Sequence, residues 1–370
     1  MTRRAADERW MRRALALAAR GLGETNPNPV VGCVVARAGR IVGEGFHARA
    51  GGPHAEVIAL RRAGRRARGA TLYVTLEPCA HHGRTPPCAP LVAASGVARV
   101  VAAVRDPDPR VRGRGLALLR AAGVGVSTGL LAAEAEAQNA RFLTAARRGR
   151  PFVLLKAALT LDGRIATAGG ESKWITSPAQ RRQARGLRRL HDAVLVGIGT
   201  VIADDPLLLP QPRTRRRFTR VVLDTRLRLP LASRLVRSAT ARAPVLVLTA
   251  VASSAKRRAL EARGVAVVRV RAREGRLDPH AVVAKLHELG LGSVMVEGGS
   301  EVLGSFLSAR LVDEVALFRA PLLLGGRGSK GAFGGPDPLE VGAALRLEPV
   351  PDAPAFPWPW PPLFERWRPR

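Results

Sequence analysis

His54-Ala55-Glu56 is followed along the chain by Pro78-Cys79 and then by Cys88. These residues supply one imidazole, two thiols and one carboxylate. One imidazole and two thiolates can hold a zinc ion tetrahedrally and leave its fourth position open to water, as in catalytic rather than structural zinc sites. We therefore predict that His54, Cys79 and Cys88 are the metal ligands and that Glu56 is the catalytic residue that carries protons.

The local context of these residues agrees with that chemistry. Zinc lowers the pKa of a bound water toward about 7, which makes a nucleophile available at neutral pH. His54 and Cys79 each lie where an apolar strand or turn passes into a helix, and helix N-termini favour the thiolate form of cysteine. The third cysteine, Cys33, lies in an apolar run and is predicted to be a small core residue.

The pattern of apolar residues predicts an alternation of strands and helices around this site. Near the N-terminus, Trp10, Ala14, Leu17 and Ala18 recur at helical spacing, and Asp7 interrupts what could otherwise be mistaken for a targeting peptide. The remaining predicted elements are a hairpin of residues 30–36 and 40–46, helices at 54–63, 89–95 and 115–122, and strands at 70–77 and 97–104.

The segments around the proposed zinc ligands resemble the cytidine-deaminase-like zinc deaminases, in which water attacks the carbon that bears the amino group and a glutamate relays protons. The usual Pro-Cys-x-x-Cys of that family is expanded here to residues 78–88. This expansion, with residues 25–33, 45–47, 50–56 and 106–109, resembles the deaminase half of the bifunctional deaminase–reductases of riboflavin biosynthesis. The resemblance implies a cytidine-deaminase-like three-layer αβα domain over residues 1–147.

The same resemblance assigns residues that contact the substrate. It implies that Asn28 and His47 contact a pyrimidine ring, and that the loop from residue 81 to 85, with Arg84, meets a phosphate. Arginine and exposed N–H groups suit phosphate binding. From spacing alone, Asn28 could equally be a turn residue between Pro27 and Pro29.

A second α/β series follows the basic, turn-rich residues 147–151. Buried strands are predicted at residues 152–156, 193–197, 220–224, 245–248, 265–270 and 293–296, with helices at 178–190 and 279–289. The last of these strands runs into Glu297-Gly298-Gly299-Ser300-Glu301 and then an apolar helix. Such a turn can hold an anion at the helix start, although it lacks the G-x-G-x-x-G spacing of a Rossmann fold.

This half resembles the reductase domain of the same bifunctional family, which is related to dihydrofolate reductase and binds NADPH without a Rossmann fingerprint. The resemblance implies a dihydrofolate-reductase-like α/β domain over residues 150–347. The positions that match cofactor contacts are Ala158, Trp174, Thr200, Asp204, Gly299, Ser300, Glu301, Val302, Leu303, Gly304 and Ser305, in a stretch that ends at Phe306. The positions that match substrate contacts are Ser172, Arg188, Leu208, Gln211 and Glu297.

One position departs from the family pattern. The family usually has an arginine that grips the ribose phosphate shortly after Asp-Asp-Pro, whereas Gln211 stands at that place in this chain. Either the nearby Arg213 replaces the missing arginine, or the contact is weakened. The residues alone leave both alternatives open.

Composition limits the remaining possibilities. The chain has 370 residues and a net charge of +31, and all but five of its 60 basic residues are arginine. Nucleic acid, an anionic membrane surface or phosphorylated ligands could each explain that charge as partners, and a compositional bias without function could explain it equally well.

The odd number of cysteines favours a reducing compartment, so we expect a cytoplasmic protein. The sequence has no apolar run long enough to span a membrane. Residues 348–370 are expected to form an irregular tail rich in proline and tryptophan.

The zinc residues and the family resemblance together predict a two-step enzyme that uses Zn²⁺ and NADPH. The resemblance implies deamination of 2,5-diamino-6-(5-phosphoribosylamino)pyrimidin-4-one and then reduction of the ribosyl group of the product. The expected partner is this phosphorylated pyrimidine, with no nucleic acid or membrane, and the resemblance implies a homodimer or higher homo-oligomer. The alternative is a nucleic-acid-editing deaminase with an accessory domain. A third possibility, a reductase with an inactive deaminase domain, is disfavoured by the intact zinc residues.

Overall fold

The computed structural model describes residues 2–83, 86–336, 338–350 and 363–370. The chain divides into two compact units, the first ending at Arg148 and the second beginning at Gly149 and including residues 363–370. Both units have the predicted α/β architecture. Within the described residues, no helix combines the length and the apolar character needed to cross a bilayer.

The first unit is a five-stranded sheet with helices on both faces. Its sheet order is β2-β1-β3-β4-β5; β1 is antiparallel to β2 and β3, and the last three strands are parallel. The elements are α1 (Arg3–Ala19), β1 (Gly32–Arg37), β2 (Arg40–Phe46), α2 (Ala55–Ala63), β3 (Thr71–Leu76), α3 (Cys88–Ala94), β4 (Arg99–Val104), α4 (Arg114–Ala121), β5 (Gly125–Thr128), α5 (Ala132–Gln138) and α6 (Ala140–Arg148).

Two hydrophobic clusters lie on opposite faces of this sheet. One joins the sheet to α2, α3 and α4 through side chains such as Leu60, Val92 and Leu116. The other joins it to α1 and α5 through Trp10 and Ala135, among others. The first unit is therefore a three-layer αβα domain, and this part of the fold prediction is confirmed.

Helix α2 lies unusually close to strand β2, and two glycines make that approach possible. A Cβ atom at Gly43 would lie 2.2 Å from the carbonyl oxygen of Ala59, and one at Gly45 would lie 2.7 Å from that of Ala55. Both distances are too short for any side chain. Because α2 starts directly after His54, this close packing also sets where the predicted zinc ligand lies.

The second unit is built on a nine-stranded sheet. Its order is β11-β10-β9-β8-β14-β6-β15-β18-β17, and all its strands run in one direction except β18, which is antiparallel to its neighbours β15 and β17. The elements are β6 (Phe152–Thr160), β7 (Arg164–Ala166), α7 (Pro178–Leu187), β8 (Ala193–Gly197), α8 (Ile198–Asp204), β9 (Thr219–Leu223), α9 (Arg234–Arg237), β10 (Val245–Thr249), α10 (Ala255–Glu261), β11 (Val265–Arg269), β12 (Ala272–Arg273), β13 (Arg276–Leu277), α11 (Pro279–Glu288), β14 (Ser293–Gly298), α12 (Ser300–Ser308), β15 (Glu314–Ala320), β16 (Lys330–Gly331), β17 (Leu347–Pro349) and β18 (Glu365–Pro369).

Helices cover both faces of this sheet as well. Helices α11 and α12 pack on one face through Leu286 and Phe306, and α8, α9 and α10 pack on the other through Val201, Leu235 and Leu260. Parallel strands buried on both faces read as continuous apolar runs, which is why their positions could be predicted from the sequence.

The expectation of an irregular tail is wrong for the part of the C-terminus that the structure describes. Strand β18 pairs with β15, and β17 pairs with β18, so both strands extend the main sheet. Arg366 in β18 forms two hydrogen bonds with the carboxylate of Glu314 in β15. Strand β18 was not predicted because the segment is rich in proline and tryptophan. Around Trp367, apolar and polar residues do not alternate regularly enough to indicate a strand. Residues 351–362 of the predicted tail lie outside the described residues.

We expect Gly43→Ala to destabilise the first unit by about 2 kcal/mol, because the new methyl group would have to displace α2. Differential scanning calorimetry of the full chain measures this as a lower unfolding temperature for that unit. Gly125→Ala is the matched control, since its Cβ would meet no atom closer than 3.4 Å. Equal unfolding temperatures for the two variants would show that the close packing of α2 is not needed.

Candidate functional site

The three predicted metal ligands meet in the first unit. His54 precedes the first residue of α2, Cys79 follows β3, and Cys88 is the first residue of α3. The Nδ1 atom of His54 lies 3.6 Å from Cys79 Sγ and 3.2 Å from Cys88 Sγ, and the three donor atoms lie within 4.8 Å of one another. Three separate segments therefore present one nitrogen and two sulfur atoms to a common centre.

The electrostatics of this cluster suit a divalent cation. Hydrogen bonds from Cys88 and His54 lower the pKa of Cys79 to about 4. The hydrogen bond to Cys79 and burial raise the pKa of Cys88, because a second thiolate beside the first would be repelled. A metal cation removes that repulsion and binds both sulfurs as thiolates. This soft N/S donor set fits zinc.

Glu56 lies in the first turn of α2, next to the ligand cluster. Its side chain is only 3% exposed, and burial raises the pKa of the carboxyl to about 7, with a contribution from the neighbouring Cys79 thiolate. A group with a pKa near neutrality can both accept and release a proton during a reaction. Such a group suits the proton-carrying role predicted for Glu56.

Asn28 and His47, which were predicted to contact the pyrimidine, are neighbours in the structure. His47 Nδ1 lies 3.1 Å from the carbonyl oxygen of Pro53, so that nitrogen must carry the proton, and Nε2 can then accept from Asn28 Nδ2 at 3.2 Å. Burial lowers the pKa of His47, which favours this neutral form. The rings of His47 and His54 lie edge to face with their centroids 5.2 Å apart. The predicted phosphate contact Arg84 lies outside the described residues.

Glu77 supports the segment that carries Cys79, and it was not singled out from the sequence. It lies between β3 and Pro78-Cys79, and its side chain is 3% exposed. Its carboxylate accepts hydrogen bonds from the backbone N–H groups of Asp106, Gly113, Gly115 and Leu116 at 3.0–3.3 Å. Glu77 thereby ties the segment that carries Cys79 to the loop before α4 and to the start of that helix.

The second unit contains a cavity of about 1650 Å³. It is lined by residues at the carboxyl ends of β8 and β14, which is where ligands bind in open parallel sheets. The predicted contact residues that line it are Ala158, Ser172, Trp174, Arg188, Thr200, Asp204, Leu208, Gln211, Glu297, Gly299, Ser300, Glu301, Val302, Leu303 and Ser305. Residues more than 100 positions apart in sequence are thus brought to one cavity.

Glu297 and Arg188 form the main charged pair of this cavity. The Arg188 guanidinium donates to both carboxylate oxygens of Glu297 at 2.5 and 2.8 Å, and it also donates to the carbonyl of Leu209. This pairing, with the nearby Lys156, outweighs burial and lowers the pKa of Glu297. Burial lowers the pKa of Lys156. Lys156 was not singled out from the sequence, because a single lysine within an apolar strand carries no local signal of its function.

The predicted cofactor residues form a second group in the cavity. Asp204 pairs with Lys173 at 3.1 Å, and the exposed Trp174 ring lies 4.3 Å from the Arg181 guanidinium carbon. The Gly298–Gly299 peptide bond is cis, and α12 begins at the next residue. A Cβ at Gly299 would lie 3.7 Å from Thr200 Oγ1, so these two predicted positions are adjacent.

Three predicted residues have different surroundings from those expected. Gly304 is buried against Gly334, where a Cβ would lie 1.6 Å from a carbonyl oxygen, and Phe306 belongs to the hydrophobic core. Neither residue lines the cavity. Leu208 does line it, but its side chain belongs to the core cluster under α8, so its backbone is the part that a ligand could reach.

Comparisons with known proteins agree with both sites. Residues 4–104 match the cytidine and deoxycytidylate deaminase zinc-binding region, and residues 151–351 match the RibD C-terminal domain. The chain is 46% identical to the riboflavin biosynthesis protein RibD of Bacillus amyloliquefaciens over 322 residues, which covers 86% of each chain. The chain belongs to the RibD family. It therefore combines a zinc-binding deaminase domain with the reductase domain of a riboflavin-biosynthesis enzyme.

Other RibD proteins are similar over nearly their whole length. RibD of Escherichia coli is 46% identical over 333 residues, covering 86% of this chain and 89% of that protein. The structure of Acinetobacter baumannii RibD in form 1 superposes with a TM-score of 0.87 at 38% identity, covering 99% of both chains. A Thermotoga maritima protein described as a diaminohydroxyphosphoribosylaminopyrimidine deaminase/5-amino-6-(5-phosphoribosylamino)uracil reductase has a TM-score of 0.84 at 35% identity and full coverage of both.

We expect Glu77→Ala to loosen residues 106–116, because four backbone N–H groups would lose their acceptor, and each buried unpaired group costs about 1–3 kcal/mol. Hydrogen exchange measured by mass spectrometry should show faster exchange in peptides from that segment. Glu77→Gln keeps one acceptor oxygen and should give a smaller change. Unchanged exchange in Glu77→Ala would contradict the anchoring role.

Proposed function

We propose that the chain carries out two successive reactions in separate sites. The first is hydrolytic deamination of 2,5-diamino-6-(5-phosphoribosylamino)pyrimidin-4-one, and the second is NADPH-dependent reduction of the ribosyl group of 5-amino-6-(5-phosphoribosylamino)uracil to ribityl. The observation that carries the proposal is the His54, Cys79 and Cys88 cluster beside Glu56. The activities named for the Thermotoga maritima protein support both substrates.

In the first reaction, His54, Cys79 and Cys88 would hold the zinc ion. Zinc supplies a water molecule that is acidic enough to react near neutral pH. Glu56 takes a proton from the attacking water and passes it to the leaving nitrogen, so that oxygen joins the ring carbon and ammonia departs. Its buried carboxyl, with a pKa of about 7, suits both transfers. The neutral pair of His47 and Asn28 would orient the pyrimidine beside it.

In the second reaction, NADPH supplies the hydride when it is bound in the cavity of the second unit. The Gly298–Gly299 turn and the start of α12 offer backbone N–H groups to cofactor phosphates, and Thr200 and Ser300 lie beside them. Arg188 holds the Glu297 carboxylate in one orientation, with Lys156 nearby. These charged groups would position the opened sugar, since the work of the protein in hydride transfer is chiefly orientation.

Family membership disfavours a nucleic-acid-editing deaminase, because that function would leave the reductase half of the chain without a role.

For the oligomeric state and the cellular location we keep the expectations from the sequence. A homodimer or higher homo-oligomer follows from the resemblance, and sedimentation of the purified protein tests it. The expected cytoplasmic location rests on the odd number of cysteines in the sequence.

Glu56→Gln tests the deaminase assignment. We expect ammonia release to fall about 1000-fold, because the amide cannot carry the proton. Zinc content, and NADPH oxidation with the already deaminated substrate, should equal those of the unmodified chain. Glu134→Gln is the control, since the ion pair that Glu134 forms among the described residues is a 3.9 Å contact with Arg12. Persistence of ammonia release in Glu56→Gln would remove Glu56 from its role.

Glu297→Gln tests the reductase cavity. The Arg188 guanidinium would lose its charged partner, so we expect the rate of NADPH oxidation to fall at least about 10-fold. Ammonia release from the first substrate should not change, because the zinc site lies in the other unit. Equal loss of both activities would indicate general unfolding, and unchanged NADPH oxidation would exclude Glu297 from the reaction.

A further inference from the structure

The cavity of the second unit has an excess of positive charge at one end. Of the residues that the structure describes, three carboxylates line the cavity, and each is paired with a cation: Asp204 with Lys173, Glu297 with Arg188 and Glu301 with Arg276. Arg181, Arg185 and Arg213 line the cavity as well, and the charges of Arg181 and Arg188 both act on Arg185. No carboxylate among the described residues pairs with Arg185. An anion bound at this end would therefore neutralise charge that the protein leaves uncompensated.

Arg185 is bonded to the loop that carries Gln211 through both its side chain and its backbone. Its Nε atom donates to Gln211 Oε1 at 2.6 Å, and the backbone N–H of Gln211 donates to the carbonyl of Arg185 at 3.1 Å. Arg188, one helical turn further on, donates to the carbonyl of Leu209. The loop that carries Gln211 is thus joined to the end of α7 at three points. The guanidinium of Arg185 is fixed in place before any ligand arrives.

The surroundings of Arg185 favour an anionic ligand. Burial lowers the pKa of its guanidinium, and the charges of Arg188, Arg181 and Arg182 lower it further. These groups repel one another, and a phosphate would relieve that repulsion. Because Gln211 uses its side-chain oxygen to accept from Arg185, its amide N–H₂ is left to donate to the same anion.

We propose that Arg185, oriented by Gln211, binds the substrate phosphate in the reductase cavity. This inference rests on the proposed function and specifies which residue recognises the phosphate. Gln211 stands where the family resemblance predicted an arginine, so the charge would come from α7 instead of from the loop. Arg213 is the competing candidate, but it is exposed, and its loop position would require more ordering on binding.

The test is steady-state kinetics of the full chain with NADPH and the phosphorylated uracil substrate. We expect Arg185→Gln to raise the KM for that substrate about 30-fold, as loss of a charged hydrogen bond predicts, with kcat changed less than about 3-fold. The KM for NADPH should not change, and competitive inhibition by inorganic phosphate should weaken. Arg263→Gln, an exposed arginine outside the cavity that does not act on Arg185, is the control.

Exchanging the side chains at positions 185 and 211 tests whether the positive charge itself, rather than packing around Arg185, recognises the phosphate. In the double variant Arg185→Gln/Gln211→Arg the guanidinium moves to the loop, and we expect the KM to return to within about 5-fold of that of the unmodified chain. An unchanged KM in Arg185→Gln would overturn the inference, and so would a rise in KM caused by Arg213→Gln alone. If the unmodified chain does not reduce this substrate, the proposed function itself is wrong.

Discussion

The deaminase unit depends on bringing one imidazole and two thiols to a common point. The His54 nitrogen lies 3.2 Å from the Cys88 sulfur, and the two residues come from the starts of different helices. That arrangement requires α2 to lie against β2 without intervening side chains, which Gly43 and Gly45 permit. It also requires the segment after β3 to be fixed, which Glu77 achieves through four backbone hydrogen bonds. Much of the first unit can thus be understood as support for these three atoms.

The large basic excess has a structural use that net charge alone did not suggest. Arg220 is fully buried, and its guanidinium donates to the carbonyls of Leu207 and Ser238 and to the Ser238 hydroxyl. Burial lowers its pKa to about 10. Arg150 pairs with Asp313, and Arg99 pairs with the buried Asp7. Arginine therefore serves in this chain as a hydrogen-bonding element of the fold as well as a surface charge.

The sequence was sufficient to predict those features of the fold and the site that depend on residue type and spacing. His54, Cys79 and Cys88 could be assigned because few chemistries use that set, and the parallel strands were evident as apolar runs. Lys156, Glu77 and Arg185 could not be found in this way, because each acquires its role only from partners distant in sequence. The bond from Arg185 to Gln211, for example, joins a helix end to a loop 26 residues further along. Strand β18 was missed because proline and tryptophan obscured its local pattern, and its pairing with the distant strand β15 leaves no local signal.

We propose that the two sites of this chain act in order. This order is tested most directly by adding the diaminopyrimidine substrate and NADPH to the zinc-loaded full chain and recording ammonia and NADPH together. We expect ammonia to appear first and NADPH oxidation to follow after a lag, in equal final amounts. NADPH oxidation that precedes or occurs without ammonia release would contradict it.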